Sequence, residues 1–180
     1  RLNNLIHELI EFRRIETGNR EVRVESLNVS SIVKGIAKTF VEMAKSRNIT
    51  FLSKIPEQVM WNSDKGFLNT IIINLISNAF KYTPDGQSIK IEVDTSRENM
   101  LALRVANEGS TIKEKDFQYI FNRYAILDNF ENQDEKNFSR NGLGLAISYN
   151  MAKLLNGTLK VENSSDGWVM FTLTLPVVEL

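Results

Sequence analysis

The chain has 180 residues, enough for one ordinary domain with a sizeable core, and its 42% hydrophobic and 24% charged content is that of a globular protein. Its 22 basic residues balance 22 acidic ones, which argues against a nucleic-acid partner, and it has no cysteine, which excludes disulfides, cysteine-zinc sites and thiol catalysis. No stretch reaches bilayer-spanning length, so no direct membrane contact is expected of this sequence.

Residues 1–17 have helical spacing, with Leu2, Leu5, Ile6, Leu9, Ile10 and Phe12 apolar and Gly18 as a stop. The helix is apolar over more than one face. It is read as half of a helical hairpin or dimer bundle, the alternative being a helix packed on its own domain. Residues 21–29 alternate like a strand, and 30–47 carry Ile32, Val33, Ile36, Ala37, Phe40, Val41 and Ala44 at helical core spacing. Residues 49–55 and 59–61 read as strands, and Asn62, Ser63 and Asp64 then offer caps for a further helix.

That helix contains Phe67, Leu68 and the run Ile71-Ile72-Ile73, and closes at Thr83-Pro84. At about 100° per residue, Asn74, Asn78 and Lys81 fall within roughly 60° of one another, beside an apolar stripe of Leu68, Ile72, Leu75 and Ala79. Two readings stay open on this helix alone. The band is the solvated side of an amphipathic helix, or its amide oxygens ligate magnesium whose other ligands are phosphate oxygens and water, with Lys81 meeting the phosphates.

Two strands, 88–93 and 101–106, follow with a turn at Arg97-Glu98-Asn99, then a loop at 107–112 and a short helix over 113–121. At 107 an amide can pair with an adenine edge, and Gly109 admits a sharp turn or a flat ligand; an ordinary strand-end turn is the alternative. Residues 122–141 show no period and read as a lid or binding loop. Gly142-Leu143-Gly144 opens a helix to about Asn156, a plausible anion site because glycines and a helix N-terminus present backbone amides to phosphate. Strands 158–161 and 168–175 finish the chain. This mixed order with hairpins predicts an α+β fold, helices layered on one face of a mixed sheet.

In this order the elements resemble the catalytic, ATP-binding domain of sensor histidine kinases, within the superfamily that includes gyrase and the Hsp90 chaperones. Asn74-Leu-Ile-Ser-Asn78-Ala-Phe-Lys81-Tyr82-Thr83-Pro84 is similar to the family's N box, Ile120-Phe121-Asn122-Arg123-Tyr124 to its phenylalanine box, and Asn141 to Ile147 to its second glycine box. The stretch Leu5 to Gly18 is similar to the end of the second dimerisation helix of hybrid sensor kinases. The resemblance implies a two-layer α/β sandwich over 19–180, mainly antiparallel in its sheet, with a lid at about 122–141, preceded over 1–18 by a remnant of the dimerisation helix.

It also implies ATP and Mg2+ as cofactors. Asn78 would ligate magnesium with Asn74 assisting, and Lys81 would meet phosphate, these three being the catalytic positions. Tyr82, Asn107, Gly109, Ile112, Phe121 and Arg123 would line the nucleotide, and Gly142, Leu143 and Gly144 would wrap the triphosphate. Hydrolysing relatives carry a glutamate where this chain has Asn74, which has no proton-accepting carboxylate. The implied reaction is therefore γ-phosphoryl transfer to a histidine.

His7-Glu8-Leu9 looks superficially like a phosphoacceptor box, but Ile10-Glu11-Phe12 follows where the family has a basic residue and then proline. The acceptor is expected upstream of Arg1, the chain being read as a fragment. The implied partners are the dimerisation domain of the same, homodimeric protein and a response-regulator receiver domain, in a cytoplasmic portion of an inner-membrane-anchored bacterial sensor. Asn107, Thr111, Arg140, Trp168 and Ile126 depart from the family pattern. They leave a rival reading, a regulatory or structural module deficient in nucleotide binding.

Overall fold

The computed structural model describes residues 2–109, 111–121 and 143–180, with the backbone alone at 2, 4, 5 and 8. The elements in chain order are α1 (Leu2–Glu16), β1 (Val24–Asn28), α2 (Val29–Lys38), α3 (Val41–Ser46), β2 (Thr50–Lys54), β3 (Met60–Asp64) and α4 (Lys65–Tyr82). They continue with β4 (Ser88–Asp94), β5 (Met100–Glu108), a 3-10 turn (Glu114–Asp116), α5 (Gly144–Leu154), β6 (Thr158–Asn163) and β7 (Trp168–Pro176).

Strands β2-β4-β5-β7-β6 form one sheet, with β2 parallel to β4 and the other neighbours antiparallel. β1 and β3 pair separately. Alternation along the strands sorts the residues by face. Leu101, Leu103 and Val105 of β5 lie in register with Leu175, Leu173 and Phe171 of β7, and all six are buried. Ile89, Ile91 and Val93 extend that face across β4.

The opposite face is polar. Arg104 pairs there with Glu92 (3.3 Å) and Asp94 (3.0 Å), and the Lys90 ammonium stands 4.2 Å from the centre of the Trp168 ring. Asp94 accepts bonds from Ser96 and Arg104, which hold its carboxyl down at about 2. Helices therefore have one face to cover, and α4 lies on it beside α5. This is the α+β arrangement, helices on one face of a mixed sheet, that the element order predicts, in the two-layer, mainly antiparallel form that the resemblance implies.

Several boundaries differ from expectation, and β3 runs on to Asp64 through Asn62 and Ser63, two of the expected helix caps. The helix expected over 30–47 is two, because Thr39 and Phe40 turn back in i→i−3 bonds to Ile36 and Ala37. The Phe40 ring is thereby laid flat on Phe80, centroids 5.3 Å apart, so a tertiary contact overrides the helical period. The helix expected over 113–121 is only the turn at Glu114–Asp116. Its chain is pinned at both ends, by Asn163 at Ile112 and by Phe121 stacked on Tyr149. The first strand begins at Val24 rather than 21, and Asn28 caps α2 by accepting from the Ser31 amide.

α1 packs one side onto the domain. Phe12 and Ile15 are buried and the helix runs against α5, while Ile6 and Ile10 are each 45% exposed. Arg20 secures this end, paired with Glu11 at 2.5 Å and standing 4.8 Å from the centre of the Phe67 ring. The expected lid at 122–141, with Arg123 and Arg140, and also Gly142, lies outside the described residues.

Candidate functional site

The site is built on α4. Asp64 starts the helix: its Oδ1 accepts from the Phe67 amide (2.9 Å), while its Oδ2 accepts from the Arg23 amide (2.8 Å). From there the apolar stripe is buried as expected, Leu68, Ile72, Leu75 and Ala79 included. Ile73 is the exception in the apolar run and faces outward at 44% exposure.

The helix ends at Thr83, whose amide and hydroxyl both donate to the Ala79 carbonyl. Pro84 follows and cannot continue the ladder. Arg47 then crosses from the end of α3 and donates to the carbonyls of Phe80 and Thr83, with Asp85 accepting from its Nε at 2.7 Å. A guanidinium on terminal carbonyls satisfies acceptors that the helix leaves unpaired and suits the negative end of its dipole.

Asn74 and Asn78 sit one turn apart, both half-buried, but in different states. Asn74 Nδ2 donates to the Gly144 carbonyl and to Ser148 Oγ, each at 3.0 Å. The Gly144 oxygen can only accept, so the amide nitrogen must face it, and Oδ1 is left to accept elsewhere. Asn78 engages no protein group among the described residues. Lys81 lies exposed one turn on, its Nζ 5.3 Å from the centre of the Tyr82 ring. Burial pushes the Tyr82 hydroxyl above its usual range.

Two oxygen-bearing amides fit magnesium, which takes a few protein oxygens and completes its shell with water and phosphate. No cluster of three acidic or histidine side chains among the described residues offers an all-protein cage.

β5 packs against α4. Asn107 is 3% exposed and continues the covered row of Leu101, Leu103 and Val105, between Ile89 and Val169. Gly109 follows at φ +90°, and a Cβ there would stand 2.9 Å from Pro84 Cδ. Glycine is thus required by the turn and by the approach of Pro84 just past α4's end. Ile112 is half-buried, its amide donating to Asn163 Oδ1 (3.2 Å) and its carbonyl accepting from Asn163 Nδ2 (2.5 Å). Phe121 stacks on Tyr149, centroids 5.1 Å apart, and meets Phe171 edge-on.

Leu143 is fully buried and anchors the start of α5, where no side chain among the described residues caps the first turn. Those first amides are the groups a phosphate would meet. The structure therefore joins Asn74 directly to the glycine turn, and sets Asn78, Lys81 and Tyr82 farther along the same helix. Sequence reasoning missed Arg47, Asn163 and Ser148. Only Ser148 left a signal, lying four residues after Gly144 and so on the same helix face.

The family described as "Histidine kinase-, DNA gyrase B-, and HSP90-like ATPase" matches residues 63–179. The chain is 30% identical to Histidine kinase P4 of Formosa agariphila over 98% of its length, and 28% identical to Hybrid signal transduction histidine kinase D of Dictyostelium discoideum, again over 98%. It spans only 13% and 12% of those two proteins. Among solved structures, full-length ShkA in complex with AMPPNP superposes with a TM-score of 0.83 at 18% identity, covering 99% of this chain and 36% of that one.

Proposed function

The chain belongs to the family of histidine kinase-, DNA gyrase B- and HSP90-like ATPases, and from that premise we propose that it binds Mg-ATP between α4, the end of β5 and the start of α5. The observation that carries this reading is the pair Asn74 and Asn78. One amide is held against the first turn of α5, and the other lies half-buried with no protein partner among the described residues. Asn78 would hold magnesium with Asn74 Oδ1 beside it, Lys81 would face the phosphates, and the backbone amides of the turn at Leu143–Gly144 would receive them from α5. Bound magnesium would supply neutralisation of phosphate charge. Asn107 would present its amide to the base from the sheet.

In the parent protein the γ-phosphoryl group would pass to a histidine nitrogen, an N–P bond forming as the bond to the β-phosphate oxygen breaks. Positioning and charge stabilisation do the work, since position 74 carries no base for water. Residues 1–18 belong in this reading to the dimerisation helix and 19–180 to the catalytic domain. The partners are that dimerisation domain in a homodimer and a receiver domain, on the cytoplasmic side of an inner membrane. No helix among the described residues is long and apolar enough to cross a membrane.

Titration with a fluorescent non-hydrolysable ATP analogue, with and without magnesium, tests the reading. Saturable binding that gains roughly tenfold or more from magnesium is expected, and Asn78→Asp should change that gain because it alters the ligand charge. No saturable binding at millimolar nucleotide would favour the rival module instead. The neutral Asn107 on the floor is the observation that speaks for that rival.

A further inference from the structure

We propose that Ser148 and the Gly144 carbonyl form a latch on α5 that accepts an amide at position 74 and rejects a carboxylate, so that Ser148 is a positioning residue acting through Asn74. Both protons of the Asn74 amide are committed, one to the Gly144 oxygen and one to Ser148 Oγ, each at 3.0 Å. Ser148 is fully buried, and Gly144 places nothing between the helices: a Cβ there would already lie 3.6 Å from Asn74 Cγ. The bond pattern is directional. A backbone carbonyl cannot donate, so it fixes the nitrogen toward α5 and leaves Oδ1 as the amide's only remaining polar group.

A carboxylate cannot take this place. Its oxygens would meet the Gly144 carbonyl acceptor to acceptor. Ser148 could turn its hydroxyl to donate, but the backbone oxygen has no such freedom. The latch thereby disfavours, at the position nearest the glycine turn, the residue type able to take a proton from water. Its functional side rests on the Mg-ATP reading above; the latch itself does not.

Two measurements on the full 180-residue chain test it. The first follows the Asn74 side-chain amide by 15N NMR, assigned through its loss in Asn74→Ala. In Ser148→Ala, hydrogen exchange at that amide should accelerate roughly 2- to 12-fold, the range of one net hydrogen bond. In Asn74→Asp, exchange at the Ile147 and Ser148 backbone amides should be faster than in Asn74→Ala. An Asn74 amide unchanged by Ser148→Ala, or an Asp variant as protected as wild type, would overturn the latch.

The second measurement is a double-mutant cycle on magnesium-dependent analogue binding. Ser148→Ala should weaken binding about 2- to 12-fold alone and not at all in the Asn74→Ala background; additive losses would show that Ser148 acts by some other route and would refute the positioning role. If no variant, wild type included, binds the analogue, the Mg-ATP reading fails while the NMR result still decides the latch.

Discussion

The two ends of α4 are held by different physics. At the start, Asp64 lies next to the first turn in sequence and bonds the Phe67 amide as a local cap, its second oxygen reaching back to Arg23. At the finish, the terminal carbonyls are closed by Arg47, 33 and 36 residues earlier in the chain, on the end of α3. The candidate site occupies the second end. Asp64 combines a local cap with one bond to a remote backbone amide, whereas Arg47 closes its helix end wholly from another element and so positions α3 against α4. Site geometry needs the latter.

Substitutions at the two ends should therefore separate stability from binding. Asp64→Ala removes two charge-assisted bonds and leaves the buried Phe67 amide without its acceptor, and should cost about 3 kcal/mol in denaturant unfolding. Its effect on nucleotide affinity of the folded protein should be negligible, since Asp64 lies about 21 Å along the helix from Asn78. Arg47→Ala should cost less, about 2 kcal/mol, because the side chain is partly solvated. Analogue affinity should nevertheless fall roughly 3- to 10-fold as the last turn loosens, a shift of about 1 kcal/mol. Equal losses of affinity at both ends would erase the distinction.

The smallest effect is a pH dependence confined to the second end. The Tyr82 hydroxyl titrates above the usual value of 10.0 because burial disfavours its ionised form. With the folded pKa raised, its contribution is fully present below pH 10 and is lost as pH rises through the folded value. Ultraviolet difference titration of wild type against Tyr82→Phe should show one tyrosine ionising late, and Arg47→Ala should move that ionisation back toward pH 10. An unmoved Tyr82 in the Arg47 variant would mean that the clamp does not hold this turn.

Much of this frame was legible because it depends on local periods. The alternation of Leu101, Leu103 and Val105 assigned a strand with one covered face, and Asn62, Ser63 and Asp64 before an apolar run marked a helix start, at which Asp64 is the cap. The N-box spacing placed Asn74, Asn78 and Lys81 on one band of α4. What went astray involved residues whose partners are remote. Thr39-Phe40 interrupts a good helical period because Phe80 offers a ring to stack on. Residues 113–121 fail to form a helix because Asn163 and Tyr149 hold their two ends.

By itself the sequence determined most of the element types, the covered sheet face, the family and the amide rather than carboxylate at position 74, all properties of short spacing and residue chemistry. Only the tertiary structure decided how the two asparagines differ. They have the same side chain on the same helix face, one turn apart, but α5 lies against one of them. Its Gly144 carbonyl and Ser148 hydroxyl commit Asn74 and leave Asn78 without a partner among the described residues. Hydrogen-bond donors are assigned by what packs opposite, and that is set by how the helices lie on the sheet rather than by anything within the helix itself.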